Sequence, residues 1–272
     1  MSASILLRMA LTVALCVAAA AAEAQQKIGV VLMHGKLGVP LGVSDKNGPG
    51  VGAQLIEALK GAGYLVAAPE MCWSRRRGFD KPRDQCLAEI DQAIAGLKAQ
   101  GATAIVVGGQ SLGGHAALSY GASHAGLLGV IGLAPADDAQ RKARRPDIAA
   151  AVARAQQLVA SGQGDTREMF ADTNTGPQGT FSTVANTTAR IYLSFFDPGN
   201  APIAQDVAAL KAPLLWIAGT EDPTQRDSET AYFQHAPANP LNRYVTVEAA
   251  HLATPDAACD AVVAWLKDLA KR

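Results

Sequence analysis

Residues 104–113 of the chain read AIVVGGQSLG, and helical spacing of apolar residues follows up to Tyr120. An apolar run that does not alternate with polar residues predicts a strand that is covered on both faces, as in a parallel sheet flanked by helices. The pentapeptide 109–113 has the form Gly-x-Ser-x-Gly and would join this strand to the helix through a tight turn. Glycines suit the positions on both sides of Ser111, because bulky side chains there would collide with the strand and the helix that meet at the turn. The segment therefore predicts a Ser111 hydroxyl raised above the edge of a sheet.

The rest of the chain repeats this alternation of strand and helix. Further apolar runs occur at 28–33, 64–68, 128–134, 213–218 and 244–247. Residues with helical spacing follow several of these runs, and the closing helix is expected to begin at Thr254, a good capping residue. We therefore predict an α/β fold, with a mostly parallel sheet of about six strands and flanking helices.

One long segment interrupts the alternation, from about residue 138 to residue 200. Residues 148–159 are rich in alanine with helical spacing, whereas residues 172–188 are rich in threonine, asparagine and glycine. The basic residues between 141 and 145 are expected on the exposed start of a helix. Because a long segment between strands of a compact domain is usually functional, we predict a cap insertion over the site.

The N-terminal residues have the three parts of a secretory signal peptide. Arg8 precedes an apolar run over residues 9–22, and Ala22-Glu23-Ala24 fits a cleavage site. The run is shorter than the ~20 residues that span a bilayer, which disfavours a membrane anchor. We predict a signal peptide over 1–24, a domain over 25–272, and a periplasmic or secreted protein.

Export would place the cysteines in an oxidising compartment, where disulfides persist. Cys72 and Cys86 are placed to close a loop, which would stabilise the fold by ~3 kcal/mol in the chain-entropy model. Spacing alone does not fix the pairing, so three free thiols, with Cys259 as the third, are the alternative.

The composition disfavours several classes of function. The chain has 24 Lys and Arg against 24 Asp and Glu, a formal net charge of zero. This balance argues against binding nucleic acid or an anionic membrane surface. The cysteines and histidines do not have the spacing of a zinc site. We expect no metal and no cofactor, and a small molecule as the partner.

A serine hydroxyl needs a general base to become a good nucleophile. His251 follows the last predicted strand, so it is expected at the sheet edge where Ser111 also points. Asp222 follows the fifth strand, and the order Ser, Asp, His suits a carboxylate that orients the base. Glu221, Asp137 and Asp138 are the alternatives for the acid.

These segments together resemble the α/β-hydrolase superfamily over essentially the whole mature chain. The matching segments are 109–113, 219–222, the loop at His251, and 33–38, which is similar to the His-Gly loop after an early strand. The resemblance implies that the backbone N–H groups of Lys36 and Leu112 form an oxyanion hole. It also implies that His34 shapes this loop and is not a second base. Little sequence precedes residue 28, which suggests a sheet without the two opening strands of the full fold.

Two groups of residues are candidates for a substrate pocket. Trp73 and Arg75 follow the second strand, and arginines there suit an anionic substrate group, with a solvated loop as the alternative. Tyr192 and Phe195 end the insertion and suit the wall of an apolar pocket, with a place in the core as the alternative.

The expected chemistry is hydrolysis of a small carboxylic ester through an acyl-enzyme. A peptidase or amidase with the same triad, and a non-catalytic binding protein with this fold, are the alternatives. A dinucleotide-binding site is a further hypothesis, because residues 48–53 read GPGVGA. It is disfavoured, since that fingerprint belongs directly after the first strand.

Overall fold

A computed structural model describes residues 26–44, 50–176, 179–200 and 202–271. The predicted signal peptide lies outside these residues. Within the described part, none of the helices has both the length and the apolar character needed to cross a membrane.

The centre of the fold is a six-stranded sheet in which all neighbouring strands are parallel. Its strands are β1 (Ile28–Met33), β2 (Leu65–Ala67), β3 (Ala104–Gln110), β4 (Gly129–Leu133), β7 (Leu214–Gly219) and β8 (Arg243–Val247). Their order across the sheet is β2-β1-β3-β4-β7-β8. The predicted α/β class and six-stranded parallel sheet are confirmed.

Helices cover both faces of the sheet and bury two apolar cores. The face with Val31 and Met33 packs against α2 (Arg83–Ala99) and α3 (Leu112–Ser123). The opposite face, with Val30 and Leu32, packs against α1 (Ala53–Gly61) and α10 (Cys259–Leu269). Alternate residues of β1 thus enter different cores, which is why its sequence is apolar throughout.

The insertion after β4 contains three helices and a β-hairpin. Its elements are α4 (Ala139–Lys142), α5 (Pro146–Ala160), β5 (Arg167–Gly176), β6 (Gly179–Thr188) and α6 (Ala189–Phe196). The helix over 148–159 was expected, whereas the antiparallel pairing of β5 with β6 was not. Short α7 (Ile203–Ala208) leads into β7, and α8 (Ser228–Ala231) and α9 (Thr254–Ala257) complete the fold.

A disulfide joins Cys72, in the loop after β2, to Cys86 in α2, with 5.6 Å between their Cα atoms. Cys259 is free. The structure thus answers the question that cysteine spacing had left open.

The N-terminus of α1 is occupied by a side chain of the protein itself. The Asp256 carboxylate accepts hydrogen bonds from the backbone N–H groups of Gly52 (3.1 Å), Gln54 (2.9 Å) and Leu55 (3.2 Å). A dinucleotide-binding helix would present these donors to a pyrophosphate. This internal carboxylate argues further against the dinucleotide interpretation.

Candidate active site

Ser111 lies in a strained turn between β3 and α3. Its φ of 56° and ψ of −120° belong to a region that non-glycine residues rarely adopt. A Cβ atom added to Gly109 would lie 2.5 Å from backbone atoms of Gly113, and one added to Gly113 would lie 2.5 Å from the Met33 carbonyl oxygen. Both positions of the Gly-x-Ser-x-Gly pattern therefore need glycine because the backbones of the turn, the helix and β1 approach closely.

Ser111, His251 and Asp222 form one chain of hydrogen bonds. The Nε2 atom of His251 lies 2.9 Å from the Ser111 Oγ, and its Nδ1 lies 2.5 Å from an Asp222 carboxylate oxygen. All three side chains are buried. If Nδ1 donates to the carboxylate, Nε2 is left as an acceptor for the serine proton. The geometry is that of an activated serine nucleophile.

The second oxygen of Asp222 is also satisfied. It accepts hydrogen bonds from the backbone N–H and the hydroxyl of Thr224, at 2.9 and 2.8 Å. The alternative acids have other surroundings. Glu221 is exposed, the Asp138 carboxylate accepts from two backbone N–H groups, and Asp137 pairs with lysines. The structure places the Asp222 carboxylate beside His251.

The loop after β1 is joined to the loop after β2 by His34. This imidazole is buried, with Nδ1 2.7 Å from the Gly35 carbonyl oxygen and Nε2 accepting from the Met71 N–H at 3.0 Å. Burial lowers its pKa below the ordinary value, which favours the neutral ring that these two bonds need. His34 therefore has the surroundings of a residue that shapes the loop.

The two predicted oxyanion donors belong to the two backbone segments that meet at Ser111. Leu112 is the first residue of α3, so its N–H has no acceptor within the helix. Lys36 follows Gly35, where an added Cβ would lie 3.2 Å from the Ser111 Cβ. The loop backbone thus contacts the serine turn, as an oxyanion hole made by these N–H groups requires. Their role in binding an oxyanion stays a prediction.

Two side chains next to the triad were not identified from the sequence. The Gln110 amide donates to the His251 carbonyl oxygen at 3.3 Å, so it connects the serine turn to the loop of the base. The Lys36 ammonium is buried and pairs with Asp137 and Asp172, at 2.8 Å each. Only the folded hairpin brings Asp172 to this loop, which is why no local pattern indicates the contact.

Lys142 completes a buried cluster of two lysines and two aspartates, which we call the lysine–aspartate cluster. Lys142 pairs with both Asp137 and Asp172, at 2.7 Å from the latter. The sequence predicts Lys142 on the exposed start of a helix. This prediction is wrong, because the ammonium group is buried against these two carboxylates. Burial lowers the pKa of Lys36. Burial would raise that of Asp137, but Lys142 and Lys36 outweigh this effect and hold it below its ordinary value.

Two cavities meet at Ser111. The polar cavity, of about 280 Å³, extends along the insertion and α4, and its lining includes Lys142, Thr173, Asn174, Thr180, Thr224 and Tyr232. The apolar groove, of about 430 Å³, extends along the loop after β1, and its lining includes Leu37, Val39, Leu41, Arg75, Phe181 and His251. Both volumes suit small organic groups.

The four residues predicted for a pocket are divided between groove and core. Arg75 lines the apolar groove. Trp73 is fully buried and donates to the His34 carbonyl oxygen at 2.9 Å, while its ring meets that of Phe195 edge-on. Tyr192 is also fully buried, and its hydroxyl donates to the Ala171 carbonyl oxygen. The pocket prediction therefore applies to Arg75, whereas these aromatic side chains pack in the core.

Comparison with known proteins gives one family and many similar structures. A model of the alpha/beta hydrolase family matches residues 16–265. No curated protein matches the sequence. A structure from work on LipS and LipT, two metagenome-derived lipolytic enzymes, is 17% identical, with a TM-score of 0.62 over 91% of this chain and 95% of that one.

Two further structures have the same fold, with similarly low sequence identities and similar TM-scores. The Paleococcus ferrophilus monoacylglycerol lipase is 20% identical, with a TM-score of 0.59 over 89% of this chain and 94% of that one. Est1E from Butyrivibrio proteoclasticus, with ferulic acid bound, is 14% identical, with a TM-score of 0.59 over 92% of each chain. At these identities, the likeness establishes the fold alone.

Proposed function

Because the chain belongs to the alpha/beta hydrolase family, we propose that it is a serine hydrolase that cleaves carboxylic esters. The observation that carries the proposal is the hydrogen-bonded chain Ser111–His251–Asp222, at 2.9 and 2.5 Å. It lies where two cavities meet, so a substrate carbonyl can reach the serine. That similar structures include enzymes described as lipolytic or as a lipase supports the choice of an ester.

In the first half of the reaction, the Ser111 Oγ attacks the ester carbonyl carbon as His251 takes the serine proton. The negative charge on the carbonyl oxygen is stabilised by the N–H groups of Lys36 and Leu112. His251 then gives its proton to the oxygen of the leaving alcohol, and the bond between this oxygen and the acyl carbon breaks. Asp222 stabilises the imidazolium that exists between these two transfers.

In the second half, water attacks the acyl-enzyme, and His251 takes a proton from this water. The acid is released when the bond between the acyl carbon and the Ser111 Oγ breaks and the serine recovers its proton. The mechanism needs no metal or cofactor.

We also propose that the protein acts in the periplasm or outside the cell. The signal-like sequence of residues 1–24 supports this location. The disulfide between Cys72 and Cys86 supports it independently, since such bonds persist in oxidising compartments. Mass spectrometry of the exported protein tests it, because cleavage near residue 24 gives a new N-terminus.

Covalent labelling tests the proposed activity directly. The purified protein is treated with a fluorophosphonate, and the adduct is located by peptide mass spectrometry. We expect one adduct, on Ser111, that is absent in Ser111→Ala and strongly slowed in His251→Ala. His124→Ala is the matched control, since this histidine lies at the far end of α3. A folded protein that takes up no label at Ser111 contradicts the proposal and favours a binding function.

A further inference from the structure

The two cavities at Ser111 differ in which part of the catalytic machinery they contact. His251 lines the apolar groove, together with Gly35 and Lys36 of the loop after β1. The polar cavity also reaches Ser111, but its lining includes the segment after β4, α4 and the turn after β7. The hairpin contributes to both cavities, and Asn174 and Thr175 line both. In the part of the chain that the structure describes, His251 is not among the residues that line the polar cavity.

This difference fixes the orientation of an ester. The leaving oxygen must come within hydrogen-bond reach of the His251 Nε2, because that nitrogen donates the proton it needs. The oxyanion must face the Lys36 N–H. Lys36 and His251 both line the groove, and neither is among the described residues that line the polar cavity. The acyl substituent of the tetrahedral intermediate is therefore left to point into the polar cavity.

The groove is suited to an apolar alcohol. Leu37, Val39, Leu41, Phe181 and Leu252 contribute to its lining, and the charged residue Arg75 also lines the groove. An apolar group gains binding free energy from each part of its surface that leaves water there. The Phe181 ring is half exposed, at 53%, so a bound apolar group would also cover it.

The polar cavity is suited to a short acyl chain that carries hydroxyl groups. Thr180, Thr224 and Tyr232 line this cavity and not the groove, and each has a hydroxyl group; Thr175 and Asn174 line both cavities. These groups both donate and accept hydrogen bonds.

The charged side chains of the polar cavity are already matched. Arg141 pairs with Asp227, Arg145 with Asp147, and Lys142 with Asp172. A charged acyl group would have to compete with these ion pairs, whereas a neutral hydroxylated chain would not.

We infer that the preferred substrate is an ester of an apolar alcohol with a short, neutral, hydroxylated acid. This inference rests on the proposed function. The Ser111 Oγ forms a bond to the hydroxyacyl carbon, the alcohol leaves through the groove with the proton from His251, and water then releases the hydroxy acid.

Two isomeric esters test the orientation. Benzyl 3-hydroxypropanoate has the apolar group on the alcohol, and 2-hydroxyethyl phenylacetate has it on the acid. Their atoms are the same, so differences in overall size or composition do not contribute. We expect kcat/KM, corrected for the rate of hydroxide hydrolysis, to be at least about tenfold higher for the benzyl ester, on the basis of the apolar area that the groove removes from water.

A variant of the groove shows which group occupies it. Phe181→Ala is expected to slow acylation by the benzyl ester several-fold. It should leave the rate of deacylation unchanged, because the alcohol has departed by then. Val184→Ala is the matched control on the same strand, since Val184 is 50% exposed and is not among the residues that line either cavity. Rapid-quench measurements separate the two steps.

The outcomes separate this inference from the proposed function. A preference for 2-hydroxyethyl phenylacetate, or slower deacylation in Phe181→Ala, reverses the orientation and overturns the inference. No hydrolysis of either isomer by a protein that is labelled at Ser111 overturns it too, while the serine hydrolase remains supported. No labelling at Ser111 removes the proposed function and this inference with it.

Discussion

The two oxygens of Asp222 have different partners, and this decides how the base is held. One oxygen faces the His251 Nδ1, and the other accepts two hydrogen bonds from Thr224. A side chain of the same shape without the charge would have to turn an amide N–H toward one of these groups. The residue that orients the imidazole is thus itself fixed by the turn after β7.

Asp222→Asn is expected to lower kcat by ~10⁴, as the loss of the equivalent carboxylate does in serine proteases, because the imidazole adopts the wrong tautomer. Ester hydrolysis by the purified variant gives the number. Glu221→Gln is the matched control, since Glu221 is the exposed neighbour, and it should retain full activity. Full activity in Asp222→Asn, with an unchanged melting temperature, would mean that another carboxylate orients His251.

The sequence indicates that these three residues lie close together because each comes within a few residues of the end of a strand. In a parallel sheet, the carboxyl ends of the strands meet at one edge, so strand order along the chain places Ser111, Asp222 and His251 together. Lys36 and Asp172 are different, because they are 136 residues apart and meet only once the hairpin has folded. Trp73 and Tyr192 show the same limit, since nothing local tells a core aromatic residue from one that lines a pocket.

At the scale of the elements, two glycines inside helices have opposite surroundings. A Cβ atom on Gly96 in α2 would meet nothing within 4 Å. A Cβ atom on Gly121 in α3 would lie 2.7 Å from a Val130 methyl group and 2.9 Å from a Leu210 methyl group. Gly121 therefore permits α3 to pack closely on β4, whereas Gly96 has no such role.

Gly96→Ala is expected to raise the free energy of unfolding by about 0.5–1 kcal/mol, because alanine loses less backbone entropy in a helix. Gly121→Ala is expected to lower it by about 1–3 kcal/mol, because the added methyl overpacks the core. Urea unfolding of both variants with the disulfide intact measures the two changes. Equal effects in both would show that helix propensity alone, and not packing against β4, governs these positions.

At the scale of the whole molecule, the lysine–aspartate cluster joins three segments that are distant in sequence. Lys36 lies in the loop after β1, Asp137 and Lys142 lie after β4, and Asp172 lies in the hairpin. Its four charges balance, and it lies beside the loop that contains one predicted oxyanion donor. The fold of the insertion and the geometry at Ser111 are thereby connected.

Removing one member of this cluster should cost more than removing two of opposite charge. Asp172→Leu leaves two buried lysines with one carboxylate, and we expect a loss of about 3–5 kcal/mol in the free energy of unfolding. Lys36→Met combined with Asp172→Leu restores the balance and should recover most of it. A double-mutant cycle by urea unfolding measures the coupling. Glu168→Gln, in an exposed pair with Arg154, is the control and should change the free energy of unfolding little.

The cluster also predicts how stability depends on pH. Lys142 and Lys36 hold the pKa of Asp137 below its ordinary value, so at low pH the unfolded chain binds this proton before the folded protein does. The stabilisation from this carboxylate is therefore complete above about pH 5 and is lost progressively as the pH falls through the ordinary aspartate pKa of about 3.9 toward the lower folded value.

Asp137→Asn has no such proton to bind, so its free energy of unfolding should fall less steeply between about pH 5 and pH 3 than that of the unmodified protein. Urea unfolding across this range compares the slopes, with Glu221→Gln as the control for an exposed carboxylate. Identical slopes for Asp137→Asn and the unmodified protein would mean that the lysines do not stabilise the Asp137 carboxylate in the folded state.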